Sequence, residues 1–237
     1  MMQPTTQLSP RSRAWITGAV YLLFFLTAIL GAVVIPATAK DMLAHELSFR
    51  FGYALNLIST GFYIAVAGLF YQLFRPVSRS LALLAAFFAL VGCAITAVQS
   101  IFQLAPFVVL GGGSSSSFSA DQLHALAQML LDMSAQAGYV ALVFFGVFQL
   151  LTGYLIYRST FLPRVLGALM ALGGLGWLTF LSPPLATHLL NVIEPIGILA
   201  EAPLMLWLLV FGVNSQLWSE QSSLPPVSRQ ESPPGRY

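Results

Sequence analysis

Glu201 is the residue that most needs a chemical reason. It sits ten residues into an apolar run covering 191–213, about 15 Å along a helix axis at ~1.5 Å per residue. An acidic side chain at the centre of a bilayer costs about 2.5–3.5 kcal/mol on insertion scales. Asn191, Glu194 and Glu201 recur at i, i+3 and i+10 and so share one helical face. No Lys or Arg falls in the core of any apolar run, so the neutral acid is the cheaper form there. Two chemistries fit. The carboxyl can relay a proton or cation, with Asn56, Ser59, Thr60 and Tyr63 of one run and Gln99 and Gln103 of the next as polar neighbours. Alternatively, it is a neutral acid whose hydrogen bond clamps two helices. Pro195 and Pro203 flank it and remove backbone donors. They either break the helix and open a cavity, as in transporters, or kink it, which membrane helices tolerate.

A second constellation lies outside the runs. His45, Glu46, His124, Asp132 and His188 fall in segments that one topology places on a common outer face, with Asp121 and Glu194 nearby. Three imidazoles and a carboxylate suit zinc or another divalent metal. The spacing does not: there is no H-x-x-x-H and no H-E-x-x-H, and each His lies in a different segment. The plainer expectation is three interfacial histidines, with no metal and no cofactor. There is no P-loop and no G-x-S-x-G, and Gly173, Gly174 and Gly176 lack dinucleotide-binding spacing. Gly167, Ala171 and Gly174 instead form a small-residue stripe suited to close helix packing. Cys93, the one cysteine, excludes an intramolecular disulfide and reads as a small apolar filler.

The elements that carry these residues follow from composition. Of 237 residues 57% are apolar and 8% charged, against roughly 25% charged in an ordinary soluble domain. Mean hydropathy is +0.82. A soluble domain, a disordered chain and a disulfide-stapled module are excluded, and a net charge of +2 gives no field suited to nucleic acid. Six runs reach the ~20 residues a spanning helix needs: 14–35, 51–74, 81–105, 137–157, 161–181 and 191–213. None alternates with period two, so barrel strands are excluded. The expected fold is an all-α, polytopic bundle of six transmembrane helices, its partner the lipid bilayer.

Basic residues orient it. With the N-terminus inside, Arg11, Arg13, Arg75, Arg79, Arg158, Arg164, Arg229 and Arg236 are inner, and only Lys40 and Arg50 are outer. The positive-inside rule gives N-in, C-in and a multi-pass protein of the bacterial inner (plasma) membrane. Residues 1–13 form a cytoplasmic N-terminus and 14–213 the membrane domain. A signal-peptide reading of the first run, with Ala37-Thr38-Ala39 as cleavage pattern, is set aside because the run exceeds the 7–15 residues typical of such a segment. Trp15, Trp177, Trp207, Tyr71, Tyr154 and Tyr157 fall near run ends, as interfacial aromatics do. The largest outer element opens with a Gly/Ser linker over 111–117. Ser119 and Gln122 then form a capping box for a short amphipathic helix over 119–133, whose Leu123/Leu126/Leu130 face is expected to lie on the membrane. The tail 214–237, rich in Pro, Ser and Gln, reads as disordered. Tyr71–Arg75 is echoed by Tyr154–Arg158. The echo fits either duplicated hairpins or the preference of inner helix ends for Tyr and Arg.

Four strings carry a further signal: ELSFRFG (46–52), RPVSRSLALLAAFF (75–88), LVFFGVFQLLTGYLIYRSTFLPRVLG (142–167) and EAPLMLWLLVFGVN (201–214). In order and spacing they resemble the bacterial membrane family Domain of Unknown Function 4386. The resemblance implies a multi-span membrane protein of about this length and implies no reaction. Glu46, Arg50, Arg75, Arg79, Arg158, Pro163, Arg164 and Glu201 stand where that family's pattern marks positions. The leading functional expectation is a non-enzymatic protein that binds or passes a small solute, ion or lipid through a cavity near Glu201. The alternatives are an intramembrane or outer-face enzyme, metal-dependent or not, and a structural or sensory membrane subunit.

Overall fold

Helix starts are set by local chemistry. Ser9 Oγ accepts from Ser12 N at 3.1 Å and Pro10 occupies the first helical position, which begins α1 (Pro10–Val34). Ser78 caps α4 (Arg79–Gln103) through Leu81 N at 3.4 Å. Ser119 and Gln122 form the expected capping box at the head of α6 (Ala120–Arg158). Between these lie α2 (Ala39–Ala44), α3 (Glu46–Phe74) and α5 (Ala105–Gly111). After them come α7 (Arg164–Leu178) with a 3₁₀ turn (Thr179–Leu181), α8 (Pro183–Val210) and α9 (Ser215–Ser223). The computed structural model describes residues 9–35, 38–111 and 118–223, and no strand occurs among them. The Gly/Ser linker from 112 on, the tail beyond 223 and residues 1–8 lie outside the described residues.

Among the described residues five helices are long and apolar enough to cross a membrane, and counting the bent pair Pro195–Val210 and Ser215–Ser223 as one span makes six. The long helices form a ring in chain order. α1 packs on α3, α3 on α4, α4 on α6, α6 on α7, α7 on α8, and α8 closes back onto α1. Small residues permit the closest approaches. A Cβ at Gly18 of α1 would stand 2.6 Å from Leu209 N of α8, and one at Gly167 would stand 2.6 Å from Gly153 O. The stripe of Gly167, Ala171 and Gly174 on α7 therefore does seat against α6, at Gly153, Leu150 and Gly146.

The ring is filled unevenly. Toward the end that carries Arg75 and Arg158, buried Phe70, Phe74, Phe148, Ile156, Met170 and Leu208 make a solid core. At the opposite end a smaller cluster joins Met42, Phe49, Ala127 and Leu131 beneath α2 and α5. The outer wall exposes Leu26, Ile64, Phe87, Leu172, Leu199 and Leu206, an apolar surface that suits lipid and not water.

Two expectations are corrected. The amphipathic segment 119–133 and the fourth run are one helix of 39 residues, α6, about 58 Å long against a hydrocarbon core of about 30 Å. Met133 to Ala137 contains no helix breaker, so nothing ends the first part. Its buried face is Ala127, Leu131 and Ser134, while Leu126 is 38% exposed. Ala127 and Leu131 pack with Met42 of α2, Phe49 of α3 and Phe107 of α5, and Ser134 Oγ donates to the Gln99 carbonyl of α4. The second correction concerns the tail, read as disordered from residue 214. Residues 215–223 form α9, with Asn214 Oδ1 accepting from Gln216 N and Leu217 N at 3.1 and 3.2 Å. Trp218 Nε1 donates to Leu73 O at 2.9 Å, Arg13 lies 5.8 Å over its ring, and Gln221 Oε1 accepts from Thr160 N at 3.1 Å. The bends and polar contacts thus tie the chain back across the arginine-bearing end.

Candidate functional site

α8 runs without interruption through Pro195 and Pro203, so the prolines sit within a continuous helix and do not break it. Glu201 lies between them, 8% exposed. Its carboxyl is held from two other helices. Tyr21 of α1 donates its hydroxyl to Oε2, and Gln149 of α6 donates from Nε2 to Oε1. Each donor is positioned by its own surroundings. The Tyr21 ring stands edge-on to Phe70 (centroids 5.6 Å, 89°) and against Phe25 at 5.2 Å. Gln149 fits because Gly173 faces it. A Cβ there would lie 2.8 Å from Gln149 Oε1 and 2.7 Å from Ala200 Cβ. That amide oxygen is buried without a hydrogen-bond partner among the described residues.

A cavity of about 360 Å³ opens beside the carboxyl and extends away from the arginine-bearing end. Its aromatic walls are Phe24, Phe25, Tyr63, Phe145 and Trp177, and its polar ones Asn56, Ser59, Thr60, Thr96 and Glu201, with Cys93 between. Trp177 is held by Gly197, where a Cβ would stand 2.1 Å from the indole. Among the described residues no Lys, Arg or His lines the cavity.

The structure brings some expected residues to this place and leaves others elsewhere. Asn56, Ser59, Thr60 and Tyr63 line the cavity as expected. Gln99 and Gln103 do not. The Gln99 carbonyl accepts from Ser134 Oγ at 3.0 Å, on the α4–α6 contact, and Gln103 Oε1 is buried without a partner. Asn191 and Glu194 lie on the same face of α8 as Glu201 by register, and their side chains lie outside the described ones. The outer constellation is not assembled. Glu46 pairs with Arg50 (Nε to Oε1, 2.7 Å), Asp132 accepts from Gln128 at 3.0 Å, and His188 Nδ1 meets Pro184 O at 2.8 Å. His45 and His124 are exposed, and among the described residues no three His, Cys, Asp or Glu side chains converge as metal ligands would.

Sequence reasoning missed Tyr21 and Gln149, the two groups that touch Glu201. The signal was present, because an amide in the middle of the fourth run and a phenol in the first are polar residues inside a membrane and ask for partners. Trp177, expected at an interface, is 9% exposed and walls the cavity.

An all-helical ring with an apolar outer wall, a buried carboxyl and an internal cavity defines an integral membrane protein. Within that class the chain belongs to the family described as domain of unknown function (DUF4386), matched over residues 16–212. It is similar to an uncharacterized protein of Archaeoglobus fulgidus, 31% identical over 117 residues, 48% of this chain and 56% of that one. The chain thus spans about half the length of the curated relative it matches. No solved structure matches.

Proposed function

We propose that this protein binds a small solute inside the membrane, in the cavity beside Glu201. The single observation behind this reading is that cavity, about 360 Å³ with one carboxyl in its wall. Ligand sites are usually clefts of roughly 300–1,000 Å³ with apolar walls and few fixed polar groups. A carboxyl meant only to clamp helices has no need of a void beside it, since an empty space of this size costs packing. The positions of Arg11, Arg13, Arg75, Arg79, Arg158 and Arg164 support an orientation with both ends of the described chain on the cytoplasmic side of a plasma membrane. The cavity then reaches toward the outer leaflet.

The sole cysteine supplies the test. Cys93 lines the cavity and is 2% exposed. N-ethylmaleimide should label it in the folded protein, and Ala28→Trp, which places an indole in the cavity, should slow that labelling at least tenfold. A Cys93 that reacts only after denaturation, or reacts equally in both proteins, would overturn the reading.

A further inference from the structure

Resting on that reading, we infer that the cavity takes an apolar organic cation, a quaternary or protonated amine, with its positive charge against Glu201 and its apolar part among the aromatic rings. A carboxylate offers about four lone-pair positions. Tyr21 and Gln149 occupy one on each oxygen, and the carboxyl also lines the cavity, so acceptor capacity is left facing the void. Both neighbours donate, which is the arrangement a charged carboxylate wants. The Tyr21 hydroxyl can also turn to accept, so the same pair serves the neutral acid when the site is empty. Either a proton or a bound cation therefore neutralises Glu201, and the two exclude each other.

The walls select among cations. Phe24 and Tyr63 lie 4.6 Å apart by ring centroid, and Tyr63 and Phe145 lie 4.9 Å apart at 72°. These three rings line the cavity at 54° and 72° to one another, and an aromatic wall of this kind suits an ammonium group. A hard metal ion asks for six or more oxygens, and the site is poor in them. The hydroxyls of Ser59 and Thr60 donate to Asn56 O at 2.7 and 3.0 Å, and that of Thr96 to Gly92 O at 3.0 Å. An anion would meet the carboxyl, with no Lys, Arg or His among the described lining residues to offset it. The cavity wall also reaches the outside of the ring. Ile29 of α1 and Ile198 of α8 line it and are 48% and 45% exposed. α1 and α8 approach closely at Gly18 and Leu209, nearer the other end of both helices. A molecule dissolved in the bilayer thus meets the cavity between these two helices, which favours a lipophilic cation over a strongly hydrated one.

The experiment compares three probes of similar shape as protectants of Cys93 against N-ethylmaleimide: phenyltrimethylammonium, its neutral isostere tert-butylbenzene, and the anion benzenesulfonate. The inference expects the ammonium to protect at concentrations at least tenfold below the neutral compound and benzenesulfonate not to protect. Glu201→Gln should erase that advantage while tert-butylbenzene protects as before, which shows the cavity intact. Equal protection by ammonium and hydrocarbon in the wild-type protein, or an ammonium advantage that survives Glu201→Gln, would overturn the cation inference and leave the cavity reading standing. Protection by none of the three, with Cys93 as reactive as in the denatured chain, would overturn both.

Discussion

Glu201→Gln should leave the protein folded and nearly as stable as before, and the reason lies in the geometry around the carboxyl. The native group takes one hydrogen bond on each oxygen, from Tyr21 and from Gln149. A glutamine amide keeps one oxygen and turns the other into a donor. Where that donor faces Tyr21, the phenol oxygen accepts. Where it faces Gln149, the amide of Gln149 flips and offers Oε1, an atom with no partner among the described residues. Both bonds are remade either way, so the expected change is within about 0.6 kcal/mol, the average worth of an interhelical hydrogen bond in a membrane protein. Tyr21→Phe differs. It deletes the hydroxyl from a residue with no exposure and strands Oε2, with an expected loss of about 1–2 kcal/mol. Glu201→Ala strands both donors and enlarges the cavity, and about 2–4 kcal/mol should go. The assay is reversible unfolding in mixed micelles titrated with a denaturing detergent, followed by helical circular dichroism, with Tyr21→Phe measured in both backgrounds. A Gln variant that loses more than about 2 kcal/mol would refute this account. It would mean that charge, not hydrogen-bond matching, joins α1, α6 and α8.

The other expectations concern the cavity wall, the tail and the orientation. Gly197→Ala places a methyl 2.1 Å from the Trp177 indole, so the ring must shift. N-ethylmaleimide labelling of Cys93 should change more than threefold at a stability loss of about 1–2 kcal/mol, overpacking set against a better helix former. Trp218→Ala removes a hydrogen bond to Leu73 O and the stacking of Arg13, together about 2 kcal/mol, and amide exchange across 215–223 should speed by about thirtyfold. In a Cys93→Ala background, His124→Cys should react with a membrane-impermeant maleimide in intact cells, and Ser78→Cys and Ser222→Cys only after permeabilisation. Labelling of Ser78→Cys in intact cells would invert the proposed orientation.

Much of the frame was readable from residue types alone, because bilayer physics acts on composition before it acts on shape. Run lengths marked the long helices. The spacing of Gly167, Ala171 and Gly174 announced a close contact, and Asn56, Ser59, Thr60 and Tyr63 were placed near Glu201 by being polar where polarity is costly. What could not be read is which faces meet. Tyr21 is 180 residues from Glu201 and Gln149 is 52 residues away, and no local spacing encodes a contact that depends on how three helices are rotated. The unity of α6 was missed for another reason. A window of about 20 residues imposes an end where the backbone has none, and Ser134, Ala135 and Gln136 are ordinary helix residues. α9 was hidden by its neighbours, since the prolines from Pro225 onward colour the composition of the whole tail.

The closure of the ring carries a consequence for how the molecule is made. A chain that emerges from its N-terminus places α1 and its Tyr21 in the membrane first, then Gln149 on α6, and Glu201 only with the last long helix. Until α8 arrives, the phenol and the amide wait in hydrocarbon without their acceptor, and Gly18 has no helix to lie against. The arrival of α8 closes the ring, satisfies both donors and completes the wall of the cavity in a single event. A chain that stops before Glu201 leaves Tyr21 and Gln149 without their shared acceptor within the bilayer.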